Sequence, residues 1–140
     1  MTERFISKSR EQTVELGKKL GGRLKPGDIV LFFGGLGAGK TAFVSGMAKG
    51  MGISQNVTSP TFAIVNEYTG DVPLFHFDMY RIDSAEQLYN IGFDDYLDRG
   101  GVCAVEWSEN AADYFGDDVI RVNIEYKGEG RRITISGIGL

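Results

Sequence analysis

Between Asp28 and Met51 the chain reads Asp28-Ile-Val-Leu-Phe-Phe33, then Gly34-Gly-Leu-Gly-Ala-Gly39-Lys40-Thr41, then an apolar stripe of Phe43, Val44, Met47, Ala48 and Met51. The first run is β-branched and aromatic, bounded by Pro26-Gly27 and Gly34-Gly35, as expected of a strand buried on both faces. The stripe recurs at helical spacing, and Gly50 and Gly52 can stop the helix. A buried strand, a glycine-rich turn and a helix in direct succession place the chain in the α/β class.

The turn fits G-x-x-x-x-G-K-[ST] in full and sits in the strand-to-helix context that pattern needs. Phosphate oxygens need several inward-pointing backbone N–H groups. Glycine allows this by lacking a Cβ and tolerating positive φ, and the helix N-terminus adds a favourable dipole. Lys40 then reaches the β- and γ-phosphates and the Thr41 hydroxyl ligates magnesium. The nucleotide-binding stretch is Leu36, Gly37, Ala38, Gly39, Lys40, Thr41 and Ala42. A dinucleotide-binding reading fails, because G-x-G-x-x-G begun at Gly35 puts Lys40 where the third glycine must allow close helix packing. The predicted fold is that of a P-loop NTPase: three layers, with a mixed, mainly parallel central sheet and antiparallel C-terminal strands. At 140 residues, one domain over 1–140 is expected.

Ser9-Arg-Glu-Gln12 has the form of a capping box, opening a helix that ends near Gly21-Gly22. Thr61 to Tyr68 and Leu74 to Asp78 read as an antiparallel hairpin. Short helices are predicted over 84–88, 93–97 and 109–115, and a buried strand over 101–106. Ile120 to Tyr126 and Arg131 to Ile138 alternate apolar and polar residues around Lys-Gly-Glu-Gly, a second hairpin.

A magnesium nucleotide site also calls for carboxylates at strand ends. Glu106 follows Val102-Cys-Ala-Val105 and Asp78 follows Leu74-Phe-His-Phe77, each at the expected C-terminal end of a strand, where open α/β sheets bind ligands. Thr58-Ser-Pro-Thr61 occupies the place of a nucleotide-sensing loop, or is a hydroxyl-rich turn capping its own backbone. Arg81 can pair with Asp78, with a partner's carboxylate or with phosphate, or lie on the surface. His76 reads as a strand residue rather than a base. Trp107 can stack on a base or anchor a partner, or be partly buried.

Glycine makes up 20 of 140 residues, about twice its usual share of roughly 7%, while apolar and charged fractions of 42% and 24% are those of a folding chain. The net charge of −4 and pI near 5.0 argue against direct nucleic-acid binding. Lys18-Lys19 with Arg23 and Lys25, and Arg131-Arg132, read as solvated faces. One cysteine, Cys103, and one histidine exclude an internal disulfide and a four-ligand zinc site. With no apolar run of signal-peptide or membrane-span length, a cytoplasmic protein without membrane association is expected.

Gly34 to Thr41, Val57-Thr-Ser-Pro-Thr-Phe62, His76-Phe-Asp-Met-Tyr-Arg81 and Glu106-Trp107, in that order, resemble the TsaE family, formerly called YjeE. The likeness spans about residues 9 to 126. It implies a bacterial ATPase, using ATP and Mg²⁺, required for threonylcarbamoyladenosine next to the tRNA anticodon. It implies binding to a TsaB–TsaD heterodimer in which TsaD transfers the threonylcarbamoyl group and hydrolysis resets the complex, with tRNA held through these partners. By the same resemblance Lys40 is the phosphate-binding lysine, Thr41 the magnesium-binding threonine, Glu106 the acid associated with magnesium and Asp78 an acid needed for activity. Thr58 to Thr61 match the switch-like loop, and Trp107 the tryptophan near the nucleotide. The chain departs from the family pattern at Gly35, often acidic or amide, at Ala42, often a second threonine, and at Ser108, usually proline.

A small-molecule kinase shares the loop but needs an acceptor pocket and usually a lid, for which 140 residues leave no segment. The guanine-reading sequence N-K-x-D does not occur. A nucleotide-dependent docking subunit with incidental hydrolysis stays open as a reading. No arginine is placed as a finger, a group worth about 10³ to 10⁵ in rate in GTPases, so weak hydrolysis by the isolated chain is expected.

Overall fold

The computed structural model describes residues 2–35, 38–58, 65–79, 85–106 and 115–140. In chain order its elements are β1 (Thr2–Ser7), α1 (Arg10–Gly21), β2 (Ile29–Phe33), α2 (Lys40–Gly50), β3 (Val65–Tyr68), β4 (Leu74–Asp78), α3 (Ala85–Asn90), α4 (Phe93–Asp98), β5 (Val102–Glu106), β6 (Ile120–Lys127) and β7 (Gly130–Ser136). The strands form one sheet in the order β1-β7-β6-β2-β5-β4-β3. β6, β2, β5 and β4 run parallel; β3 at one end and β7 at the other run against them, and β1 pairs antiparallel with β7 and so runs in the direction of the central strands. The mixed sheet and both hairpins agree with the pattern of the sequence.

The two faces of the sheet carry separate cores. Val30, Phe32, Leu74, Val102, Ala104, Val122 and Ile124 face α1 and α2, meeting Leu16, Leu20, Phe43, Val44 and Met47. Leu31, Phe75, Phe77, Cys103 and Val105 face the other way, toward α4. There Phe93 packs on Phe77 at 4.8 Å between ring centroids, and Tyr96 on Phe75 at 5.1 Å. Both faces of β2, β4 and β5 are thus covered, which is why these strands read as unbroken apolar runs. In β6 only Ile120, Val122 and Ile124 are buried, which gives its alternation.

α1 begins as expected: Gln12 N–H donates to Ser9 Oγ at 3.1 Å. The reciprocal arm of the capping box shifts by one residue, since the Gln12 side chain accepts from Lys8 N–H at 2.6 Å. β1 was not anticipated. Glu3, Phe5 and Ser7 of this edge strand face inward and only Phe5 of them is apolar, so the sequence carries no strand pattern there, and pairing with β7, far along the chain, creates it.

α1 and α2 meet backbone to backbone through Gly17 and Gly21 on one helix and Gly46 and Gly50 on the other. A Cβ at these positions would lie 2.0 to 2.2 Å from the carbonyl oxygens of Phe43, Met47, Val14 and Lys18 respectively. Spacing by four puts each pair on one helix face, so the contact is a stripe. The expected helix over 109–115 lies outside the described residues apart from Phe115, as do residues 61–64 of the first hairpin.

Two outcomes follow from this packing. Gly46→Ala should lower unfolding stability in urea by about 1 to 3 kcal/mol by forcing the helices apart. Gly22→Ala, whose Cβ would meet nothing nearer than 3.7 Å, should change it by less than about 0.5 kcal/mol. Burial pushes the Cys103 thiol up to about 12, so the thiol form is held in the fold. Because this pKa is raised, its contribution to stability is complete below the unfolded thiol's pKa and falls as pH rises toward 12. At pH 8 a thiol reagent should label the chain only after denaturant is added.

Candidate functional site

β2 delivers the chain to Gly34 at the C-terminal edge of the parallel strands, and α2 leaves from Gly39. Gly34 has φ 135°, and a Cβ there would lie 2.2 Å from the Ile124 carbonyl oxygen of β6. Only glycine lets the turn start this close to the sheet. Gly39 has φ 110° and ψ 18°, a left-handed conformation that reverses the chain into the helix. Gly35, by contrast, is exposed, and a Cβ there would meet nothing within 4 Å, so its departure from the acidic or amide residue is sterically neutral.

The first turn of α2 differs from that of α1. α1 has a Ser9 cap and Glu11; α2 has no side-chain cap and no acidic residue in its first turn. No side chain of that turn neutralises the positive end of the helix. Lys40, the first helical residue, is buried, and its Nζ donates to the Gly34 carbonyl at 3.2 Å, folding over its own loop. Thr41 is half-buried in the same turn, and Ala38 and Ala42 are buried.

The two carboxylates come together. Asp78 and Glu106 are register partners on the parallel strands β4 and β5. β5 lies beside β2 and β4 one strand further, so with strands about 4.8 Å apart Glu106 is nearer the strand that feeds the loop. Glu106 is buried, and its Oε2 is hydrogen-bonded to Nε2 of His76, a fully buried residue of β4. Among the described residues, no group of three or more His, Cys, Asp or Glu stands close enough to hold a metal by protein ligands alone.

Two features were not read from sequence. Arg131, assigned above to a solvated face, instead donates from Nε to the Ala38 carbonyl at 3.1 Å, with its guanidinium 4.2 Å from the Tyr126 ring centroid. It walls a cleft of about 350 Å³ that Ser9, Arg10, Thr13, Ala38 and Gly39 also line. Arg132, one residue on, pairs with Glu125 at 2.9 Å and fits the surface expectation. At the base of the hydroxyl-rich loop, Thr58 N–H donates to the Tyr68 hydroxyl at 3.1 Å, and Asn66 Nδ2 donates to the Thr58 carbonyl at 3.2 Å. Neither had a local signal, because each contact joins segments brought together only by the sheet. Leu36, Gly37, Ser59 to Thr61, Arg81 and Trp107 lie outside the described residues. No helix among the described residues is long and apolar enough to cross a membrane.

A family model described as "Threonylcarbamoyl adenosine biosynthesis protein TsaE" matches residues 7–134. The tRNA threonylcarbamoyladenosine biosynthesis protein TsaE of Treponema pallidum is 37% identical over 134 residues, covering 95% of this chain and 99% of that one. The protein of the same name from Bacillus subtilis is 38% identical over 131 residues, covering 92% and 82%. The crystal structure of Bacillus subtilis YdiB superposes with a TM-score of 0.83 at 33% identity, covering 99% of this chain and 87% of that one. By sequence over most of its length and by fold, the chain belongs to the TsaE family.

Proposed function

We propose that the chain binds ATP with Mg²⁺ at the Gly34–Thr41 loop and hydrolyses it in support of tRNA threonylcarbamoyladenosine formation, acting on a TsaB–TsaD heterodimer. The observation that carries this reading is the α2 N-terminus: left-handed Gly39, no side-chain cap, no acid in the first turn, and Lys40 folded over the loop. Such an end suits a polyphosphate, because backbone N–H groups and the helix dipole favour negative charge.

Each residue then has a task. Lys40 exchanges the Gly34 carbonyl for β- and γ-phosphate oxygens. The Thr41 hydroxyl and the Glu106 carboxylate would hold magnesium or its waters, with the remaining positions taken by phosphates and water. When bound, the ion would neutralise charge on the phosphate oxygens. Asp78, one strand further from β2, orients the attacking water. The cleft beside Ala38, Gly39 and Arg131 is continuous with the loop and takes the adenine, with Trp107 near the nucleotide by family likeness. The partners hold the tRNA, in keeping with a chain of net charge −4.

ATP hydrolysis should be slow for the isolated chain and rise when TsaB–TsaD is added. Lys40→Ala should lose nucleotide binding. Glu106→Ala should still bind ATP but hydrolyse it about 10² to 10³ times more slowly, the scale set by losing one electrostatic stabiliser. Multi-turnover tRNA modification should stop in both; full modification with Glu106→Ala would make the chain a nucleotide-gated docking subunit. Chelating Mg²⁺ should abolish hydrolysis. Arg131→Ala should raise the KM for ATP and leave kcat unchanged, which steady-state kinetics with the partner pair would check.

A further inference from the structure

The strand β4 presents His76 and Asp78 on one face of the sheet, two residues apart, and β5 presents Ala104 and Glu106 in register with them. His76 therefore lies diagonally across from Glu106, beside Ala104, whose methyl leaves room for the ring. The imidazole is fully buried and Glu106 is 6% exposed. A carboxylate removed from water needs a compensating donor, and the described donor to Glu106 is His76 Nε2, bonded to Oε2. The ring's other nitrogen, Nδ1, is buried and meets no hydrogen-bond partner among the described residues. The carboxylate thus holds the ring's one polar bond in the described structure.

From this geometry we infer that His76 is a positioning residue for magnesium: it fixes Glu106 by Oε2 and leaves the other oxygen, Oε1, for the cation or its water. This rests on the reading of Glu106 as the acid associated with magnesium. A carboxylate gripped at one oxygen cannot rotate freely about its last bond, so the oxygen offered to the cation or its water is set before binding. Partners of this kind typically affect metal affinity about 10- to 100-fold when removed. The histidine needs no charge change for this role; it needs only an N–H at the right place.

The test is binding of a fluorescent ADP analogue, measured across a Mg²⁺ titration and in EDTA, with a thermal melt of each variant. His76→Leu should weaken the apparent Mg²⁺ affinity by about 10- to 100-fold, with binding in EDTA unchanged. His76→Gln, whose amide N–H can reach Oε2, should recover most of the loss. Wild-type Mg²⁺ dependence in folded His76→Leu, an equal loss in EDTA, or no recovery with His76→Gln would overturn the inference. If His76→Leu gives no cooperative melt, His76→Asn decides in its place, since its amide is too short to reach Oε2 and it must show the same weakened Mg²⁺ dependence. Glu106→Ala separates the two levels. If it keeps the Mg²⁺ dependence, the magnesium reading of Glu106 fails; if it loses that dependence while His76→Leu keeps it, only the positioning role fails.

Discussion

The contact between the backbones of α1 and α2 sets where α2 lies on the sheet, and through α2 it sets the position of Lys40. Four glycines take part, and the two helices approach until a methyl at any of them would overlap a carbonyl of the partner. Each glycine inside a helix costs about 1 kcal/mol relative to alanine, so the stripe is destabilising as local structure. Close packing offsets it, because atoms in van der Waals contact regain dispersion energy that a gap would forfeit. With no flexible side chain between the helices there is little room to slide, and the N-terminus of α2 inherits that rigidity. A second close approach, Gly34 against the Ile124 carbonyl, fixes the other end of the loop. These contacts account for several of the 20 glycines in the chain.

The same sheet separates two chemistries by its pleat. On β4, Phe75 and Phe77 enter the aromatic core against α4, while His76 and Asp78 point to the opposite face. On β5, Cys103 and Val105 join that aromatic core, while Ala104 and Glu106 face the other way. A one-residue slip of β4 against β5 would exchange polar for apolar neighbours along the whole pair, so the apolar pattern that builds the core also enforces the alignment of the two acids. The buried polar pair costs desolvation, which the bond between imidazole Nε2 and carboxylate Oε2 offsets.

Much of this was legible locally. The β2-loop-α2 unit was readable because its signals are short-ranged: a buried apolar run, glycines where φ must be positive, and a helical stripe directly after. Asp78 and Glu106 stood out as acids ending apolar runs, and their adjacency in register bears out the reading of both as strand-end residues. Arg131 was misread because two adjacent arginines look like surface charge, and nothing in the local sequence separates the one that crosses to Ala38 from the one that pairs with Glu125. β1 was missed for the related reason that an edge strand whose inward residues include one apolar side chain, Phe5, carries almost no pattern of its own.

The sequence by itself determined the class of fold, the strand-loop-helix unit at its centre and the chemistry available at the loop, because hydrophobic period, turn stereochemistry and helix capping act over a few residues. Only the tertiary structure decided which acid stands nearer the loop, which arginine touches it, and that the single histidine holds a carboxylate. Those facts depend on strand order and register, which arise when distant segments bury surface together, and no local stretch of chain contains them.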